Sequence, residues 1–380
     1  MLKGAALSGF RKNLFGWFRQ FRRDLPWRRT KDPYAIWVSE IMLQQTRVAA
    51  VIPYYERFLE RFPDIHSLAA APQEEVLRLW SGLGYYSRAR NLQKAAQQMV
   101  ELHGGEFPRD AESVRALCGI GEYTEAAILS IAFGAKRAVL DGNVARVLAR
   151  LGGIRGDLRE SRRWSALQKT AVQLLDGKCP GDWNQAMMEL GATVCTPRQP
   201  QCLLCPVAKF CRARQQGDPQ RFPEKRKKRE TVEIVLAAAV IYDARGRTLL
   251  LPPARRTRAA NDVATLVSGM WHFPTVAVVQ DSVVELRTFL AKLFRDGGGM
   301  FSLEPLTKVR HAVTHRKITV LPYRVAVSRV PAVPGAKLLR LDEISTVPIS
   351  NLTRKIARTA TSGERVAAEM PPLPTFVANA

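Results

Sequence analysis

Ser39-Glu40-Ile41-Met42-Leu43-Gln44-Gln45-Thr46 is the stretch around which the rest of this 380-residue chain can be read. It lies in a helical pattern predicted over residues 33–50 and opened by Asp32-Pro33, an N-cap followed by a first-turn proline. Ile36, Trp37, Leu43 and Ala50 recur near helical spacing. Glu40 stands four after Ile36, three after Trp37 and three before Leu43. Side chains three and four apart share a face, so the carboxyl is aimed at the apolar side. Desolvation there disfavours the charged form and raises the pKa, which suits a general acid near neutral pH. A glutamate paired at a helix surface is the plainer reading, and spacing alone favours it.

The chain is long enough for two domains. It carries 58 Lys+Arg against 34 Asp+Glu, a net charge of +24, so its surface favours a polyanion, most simply nucleic acid. A membrane surface is the rival, but no apolar run approaches a spanning helix. Met1 to Gln20 is basic and acid-free, as in an organelle transit peptide. Its stripe of Phe10, Leu14, Trp17, Phe18 and Phe21 fits a packed first helix better. Six clustered cysteines suit a reducing compartment with a metal site. A bacterial cytoplasm is the expected location, with nucleus and mitochondrion left open.

The pattern is helical from residue 10 to about 214, with Gly- and Pro-punctuated loops, including helices predicted over 53–62 and 183–193. Pro223 to Glu230 reads as a solvated basic linker. Beyond it the pattern is α+β. Thr231–Tyr242 and Thr248–Leu251 read as a hairpin around Arg245-Gly246-Arg247, 318–327 and 336–341 as strands, and 282–295 as a helix. The expected division is a helical domain over 1–215, a linker over 216–231, an α+β domain over 232–360 and a loose tail over 361–380.

Three constellations could carry chemistry. Leu117-Cys118-Gly119-Ile120-Gly121 is a tight turn ahead of a helix near Glu122. Its backbone N–H groups and the helix dipole suit a phosphate, although an ordinary helix connection reads the same way. Asp141, in Leu140-Asp141-Gly142-Asn143-Val144, precedes a helix with the stripe Val144, Val147, Leu148 and Leu151. As an N-cap held by backbone N–H groups it is expected to stay ionised with a lowered pKa. A protonated Glu40 beside an ionised Asp141 is the division of labour that glycosidic cleavage needs. Cys195, Cys202, Cys205 and Cys211, separated by six, two and five residues, can hold a 4Fe–4S cluster or a zinc ion. Only Cys202/Cys205 forms a tight pair, which favours iron–sulfur, and Arg198, Lys209, Arg212 and Arg214 make the loop basic. Cys118 and Cys179 read as packed.

These motifs, together with Leu25-Pro26-Trp27-Arg28, Trp80-Ser81-Gly82-Leu83-Gly84-Tyr85-Tyr86 and Trp183-Asn184-Gln185-Ala186-Met187-Met188-Glu189-Leu190-Gly191, resemble the helix–hairpin–helix DNA glycosylases with a 4Fe–4S cluster, and within them the adenine glycosylases. The resemblance implies an all-α glycosylase domain. It makes Glu40 the acid that protonates adenine and Asp141 the carboxylate that stabilises the oxocarbenium-like sugar, with Tyr123 and Asn143 supporting them. Trp27, Arg28 and Gln185 would line the pocket of the flipped base. Gln45, Thr46, Leu83 and Tyr85 would fill the opened stack and meet the opposite base, and Gly119 and Gly121 would hold a phosphate. The related endonuclease III enzymes place a nucleophilic lysine after the hairpin, where this chain has Tyr123, so base removal without an efficient lyase step is expected. Cys118 stands where the family usually has proline, and a small effect on hairpin rigidity is expected.

The second domain resembles the family's Nudix-like part with its chemistry removed, because its helix offers only Asp281 and Glu285. In the family this part recognises 8-oxoguanine through a His-x-Phe-Ser-His loop. The matching residues here are His311, Ala312, Val313, Thr314 and His315, with Val313 replacing the aromatic. As bare sequence, His311 and His315 read as surface or packing residues. The expectation is a monomer that removes adenine opposite 8-oxoguanine or guanine in double-stranded DNA. An endonuclease III activity on oxidised pyrimidines and a non-catalytic DNA-binding redox sensor are the alternatives.

Overall fold

The computed structural model describes residues 2–224, 230–253, 269–294, 302–313 and 315–361. The chain divides into two compact units. One comprises Met1–Val76 with Ser87–Lys228, and the other Leu77–Tyr86 with the chain from Arg229 onward. The expected division into 1–215 and 232–360 did not separate Leu77–Tyr86 from its neighbours in sequence.

The first unit is helical: α1 Gly4–Phe21, α2 Pro33–Leu43, α3 Val48–Arg61, α4 Ile65–Ala70, α5 Gln73–Trp80, α6 Ser87–His103, α7 Ala111–Ala116, α8 Glu122–Phe133, α9 Gly142–Gly152, α10 Ser161–Leu174, α11 Pro180–Glu189 and α12 Arg212–Gln215. The last residues of α5 belong to the second unit. Helix α1 buries Phe10, Leu14 and Phe18, while Phe21 is exposed. Asp32 caps α2 by accepting from the Tyr34 and Ala35 N–H groups. Every residue of α2 from Tyr34 to Met42 is buried, so it is a central helix rather than an amphipathic one. It packs against α3, α6 and α8.

The helix expected over 33–50 is two helices. Gln45 adopts the left-handed region, with φ 58°, and α3 begins at Val48. The cause lies far along the chain. The buried Arg88 guanidinium takes the carbonyls of Ile41, Met42 and Gln44 at 2.8, 2.8 and 2.6 Å, and Thr46 Oγ1 at 3.1 Å. It thereby satisfies acceptors that a helix end leaves open. Likewise the helix expected over 183–193 ends at Glu189 and continues as a π turn, Leu190–Val194, which delivers Cys195. A Cβ on Gly191 would lie 2.7 Å from Asn143 Cβ, so the glycine lets this turn approach the start of α9. The chain stays packed past residue 216. Pro219–Arg221 forms a short turn, Phe222 is buried, and Arg150 Nε donates to its carbonyl at 2.9 Å. Lys225–Arg229, the centre of the expected linker, and the tail from 362 lie outside the described residues.

The second unit is α+β. Its strands are β1 Val232–Tyr242, β2 Arg247–Leu250, β3 Thr275–Ala277, β4 Glu304–Pro305, β5 Val309–Val313, β6 Arg316–Ala326 and β7 Lys337–Arg340. The sheet order is β4-β6-β1-β2-β7, with β3 on β1 and β5 on β6. β1 and β6 pair in parallel along their whole length, from Val232↔Arg316 to Tyr242↔Ala326, and the other pairs are antiparallel. The expected hairpin is present. Asp243 takes the N–H groups of Arg245 and Arg247, and Gly246 supplies φ 71°. Two helices flank the sheet, α13 Ser282–Leu293 and α14 Asn351–Thr361. Asp281 caps α13, and Glu285 takes the Val279 and Gln280 N–H groups, so both acids are engaged at the helix start. No helix among the described residues is long and apolar enough to cross a membrane.

Candidate active site

Within the first unit α2, α8, α9 and α11 surround a cavity of about 540 Å³. Glu40 reaches it from α2, Tyr123 from α8, Asp141 and Asn143 from the start of α9, and Gln185 from α11. Trp27, Arg28, Gln45 and Thr46 complete the predicted set that lines it. Nine residues named from sequence thus meet around one space, from segments as far apart as Trp27 and Gln185.

Glu40 is buried, and its Oε2 accepts a 2.8 Å hydrogen bond from Tyr123 Oη. Burial raises its pKa to about 7, against the lowering effect of the Tyr123 bond. The Asp141 charge raises it further, and Arg28 lowers it. The same burial, with Glu40 and Asp141 nearby, keeps the Tyr123 phenol protonated well above its ordinary value. Asp141 caps α9, Oδ1 accepting from Val144 N–H at 2.7 Å and Oδ2 from Asn143 Nδ2 at 3.0 Å. The expectation that these bonds would lower its pKa is corrected. Burial outweighs them and moves the group above 3.8, with the Val144 and Asn143 donors pulling it back. Both oxygens nevertheless accept and neither donates, which is the pattern of a carboxylate.

Two residues that the sequence reading missed organise this cavity. Glu189, on its wall and 1 % exposed, takes Arg28 Nη2 at 2.8 Å, with Arg23 Nε and Nη2 at 2.7 Å each. The two guanidiniums hold its carboxyl down at about 2 despite burial. Arg28 is therefore fixed by a buried ion pair as well as by the Arg23 carbonyl. Arg146 Nη2 donates to Asn143 Oδ1 at 2.8 Å and to Gly191 O at 2.7 Å, while its Nε donates to Cys195 O at 2.8 Å. It ties the Asp141 partner to the cysteine loop. Neither role has a local signal, because the partners that define it, Arg23 and Arg28 for Glu189 and Gly191 and Cys195 for Arg146, lie at least 40 residues away.

The hairpin holds as expected. Gly119 has φ +80°, and a Cβ there would meet Asn91 Cβ at 2.8 Å. Gly121 is the N-cap of α8. Cys118 uses an N–H that proline lacks, donating to Gln98 Oε1 at 2.8 Å. Cys195, Cys202, Cys205 and Cys211 line a second, small cavity, where Arg150 Nη1 reaches Cys195 Sγ at 3.2 Å and Cys211 Sγ lies 3.4 Å from Arg150 O. Among the described residues no three of His, Cys, Asp and Glu converge closely enough for a single metal ion. Leu83 and Tyr85 belong to the second unit, as do His311 on β5 and His315 at the turn before β6. Burial, with Lys355 nearby, lowers the His311 pKa. Thr314 lies outside the described residues.

Residues 38–173 match the HhH-GPD superfamily of base excision DNA repair proteins. The chain is 38% identical over 408 residues to the adenine DNA glycosylase of Mus musculus, covering 93% of this chain and 78% of the relative. With that of Homo sapiens it shares 38% over 414 residues, covering 93% and 74%. The solved structure of a thermostable thymine-DNA glycosylase superposes with a TM-score of 0.51 at 31% identity, over 55% of this chain and 97% of the other. The fold is that of a base-excision N-glycosylase. Because the match to these relatives runs through both units, the chain belongs to the adenine DNA glycosylase family.

Proposed function

We propose that the chain removes adenine from double-stranded DNA at the Glu40 cavity, and that it does so opposite 8-oxoguanine and guanine. The observation that carries the reading is Glu40 itself, a buried carboxyl raised to about 7 and held by Tyr123 in one cavity with Asp141. A base stacked in a duplex is out of reach, so it must be flipped into this cavity. There protonated Glu40 gives its proton to a ring nitrogen of the base. The C1′–N9 bond breaks and its electron pair leaves with the base. Ionised Asp141, held by Val144 and Asn143, faces the positive charge that develops on the sugar. Water then adds at C1′, and its proton restores Glu40. Tyr123 supplies no amine, so base removal proceeds without an efficient lyase step.

Trp27, Arg28 and Gln185 are read as the adenine pocket, Gln45, Thr46, Leu83 and Tyr85 as the wedge, and Gly119 and Gly121 as the phosphate grip. In support of the wedge, Gln45 and Tyr85 are the non-glycine residues with positive φ among those described, at 58° and 48°. The second unit is read as a Nudix-like module that recognises the opposite base through His311, Thr314 and His315. Cys195, Cys202, Cys205 and Cys211 would hold a 4Fe–4S cluster. Four cysteines lining one cavity, with only Cys202 and Cys205 as a tight pair, support a cluster over zinc. Bound there, the cluster would cross-link the basic loop and could exchange electrons.

The test is single-turnover adenine release from duplexes carrying A opposite 8-oxoguanine, G or T, with Glu40→Gln alongside. Fast release opposite 8-oxoguanine, slower opposite G, none opposite T and none by the variant is expected. No release from any duplex would sink the reading.

A further inference from the structure

The loop Ser81–Tyr86 lies between α5 and α6 in sequence, yet packs as part of the second unit. Ile349, just before α14, and the first turn of that helix supply partners for it. Ser81 Oγ donates to Ile349 O at 2.6 Å and accepts from Arg354 Nη2 at 2.9 Å. Asn351 Nδ2 donates to Gly82 O at 2.9 Å. Ile349 is itself fixed, pairing with Trp271, whose N–H donates to Pro348 O at 3.0 Å. Ser81 and Ile349 are buried, so breaking these bonds would strand polar groups away from water.

The loop needs such support. Tyr85 sits at φ 48°, between Gly82 at 117° and Gly84 at 76° on one side and the buried Tyr86 on the other. A non-glycine residue persists in that region only where its surroundings over-determine it. The other side of α14 is anchored as firmly. Leu352, Ile356 and Ala360 share a core with Val309 of β5 and Ile318 of β6. One turn after Asn351, Lys355 Nζ donates to Arg310 O at 2.9 Å, beside His311. One helix therefore grips the loop of Tyr85 and the strand of His311.

We infer that Asn351 and Arg354 are positioning residues, which use α14 to hold the Ser81–Tyr86 loop in register with the His311 strand. This rests on reading Leu83 and Tyr85 as the wedge and His311 as part of the lesion reader. On that reading, recognition of the opposite base and filling of the stack are settled by one rigid element.

The experiment uses the full chain with Asn351→Leu, Arg354→Met and Arg354→Lys. Amide hydrogen exchange is read without DNA. Exchange across Gly82–Tyr86 is expected to rise about tenfold in the first two variants, as for loss of a hydrogen bond or two, while α14 amides stay protected. Arg354→Lys, which keeps a donor for Ser81, is expected to recover most of the protection. Adenine release opposite 8-oxoguanine should slow about tenfold or more, release opposite G less, and duplex Kd should change by less than about threefold. Unchanged loop exchange would overturn the proposal. So would equal loss of protection in α14, or equal slowing opposite 8-oxoguanine and G. Exchange needs no substrate, so failure of the wild type to release adenine would sink the functional reading and leave the loop result standing.

Discussion

Tyr123 Oη donates to Glu40 Oε2 at 2.8 Å, inside a cavity that also holds Asp141. A phenol that donates to a carboxyl stabilises its ionised form, so Tyr123 works against the burial that keeps Glu40 protonated. The carboxyl is thereby held near neutral, where the proposed acid could both give and regain a proton.

The first consequence is a pH profile. On the proposed reading Glu40 gives its proton only when protonated, so single-turnover release should fall as pH rises through about 7. Stability has the same sign. The folded-state pKa lies above the ordinary 4.5, so folded protein holds the extra proton and loses stability as pH climbs from 4.5 past 7. Glu40→Gln should abolish release and raise the melting temperature at pH 8, by at most roughly 3 kcal/mol in stability.

Tyr123→Phe removes the hydroxyl that donates to Glu40 Oε2 and keeps the ring. The descending limb should move to higher pH, since the ionised carboxylate loses its hydrogen bond. The plateau rate should fall about tenfold or more as the carboxyl loses its orientation. A limb that stays in place would show that the bond does not tune the acid.

Asp141→Asn separates two jobs. Asparagine caps a helix about as well as aspartate, so stability should change by less than about 1 kcal/mol. On the proposed reading the charge that faces the sugar is then gone, and release should slow by about a hundredfold or more. Asp141→Ala should add a cap loss of about 1 kcal/mol, read by thermal unfolding.

Glu189→Gln leaves Arg23 and Arg28 without their buried anion. Breaking such a pair from one side costs roughly 3–5 kcal/mol, measurable by denaturant unfolding. The wild-type contribution should be present above the ordinary 4.5 and be lost as pH falls towards about 2, where the folded carboxylate protonates. Adenine release should weaken as well, because Arg28 loses the partner that fixes it.

Iron content tests the second cavity. Protein as purified should carry about four iron atoms per chain, and Cys202→Ser should lose them together with duplex affinity. One zinc ion per chain would assign the cysteines otherwise.

The sequence made legible whatever local chemistry decides. The Asp32 cap, the Asp141 cap, the Gly119 turn and the β1–β2 turn at Gly246 are all where short-range rules put them. It concealed what depends on distant partners. The break at Gln45 is made by Arg88, and the grip on Arg28 by Glu189, and neither is visible in a window of neighbours. The Asp141 pKa was misjudged because hydrogen bonds could be counted from sequence and burial could not. Helix α14 was overlooked, although Ser350 ahead of Leu352, Ile356 and Ala360 at four-residue spacing is a readable cap and stripe.

The membership of Leu77–Tyr86 in the second unit has a bearing on how the molecule is made. Ser81 and Gly82 leave the ribosome some 270 residues before Ile349, Asn351 and Arg354. The parallel pair β1–β6 likewise waits for a partner more than 80 residues on. Helices of the first unit close local contacts early, whereas this loop acquires its hydrogen bonds to Ile349, Asn351 and Arg354 only when almost the whole described chain has been synthesised. The helices that line the Glu40 cavity can thus be in place while the loop is still unset, and its setting marks completion of the second fold.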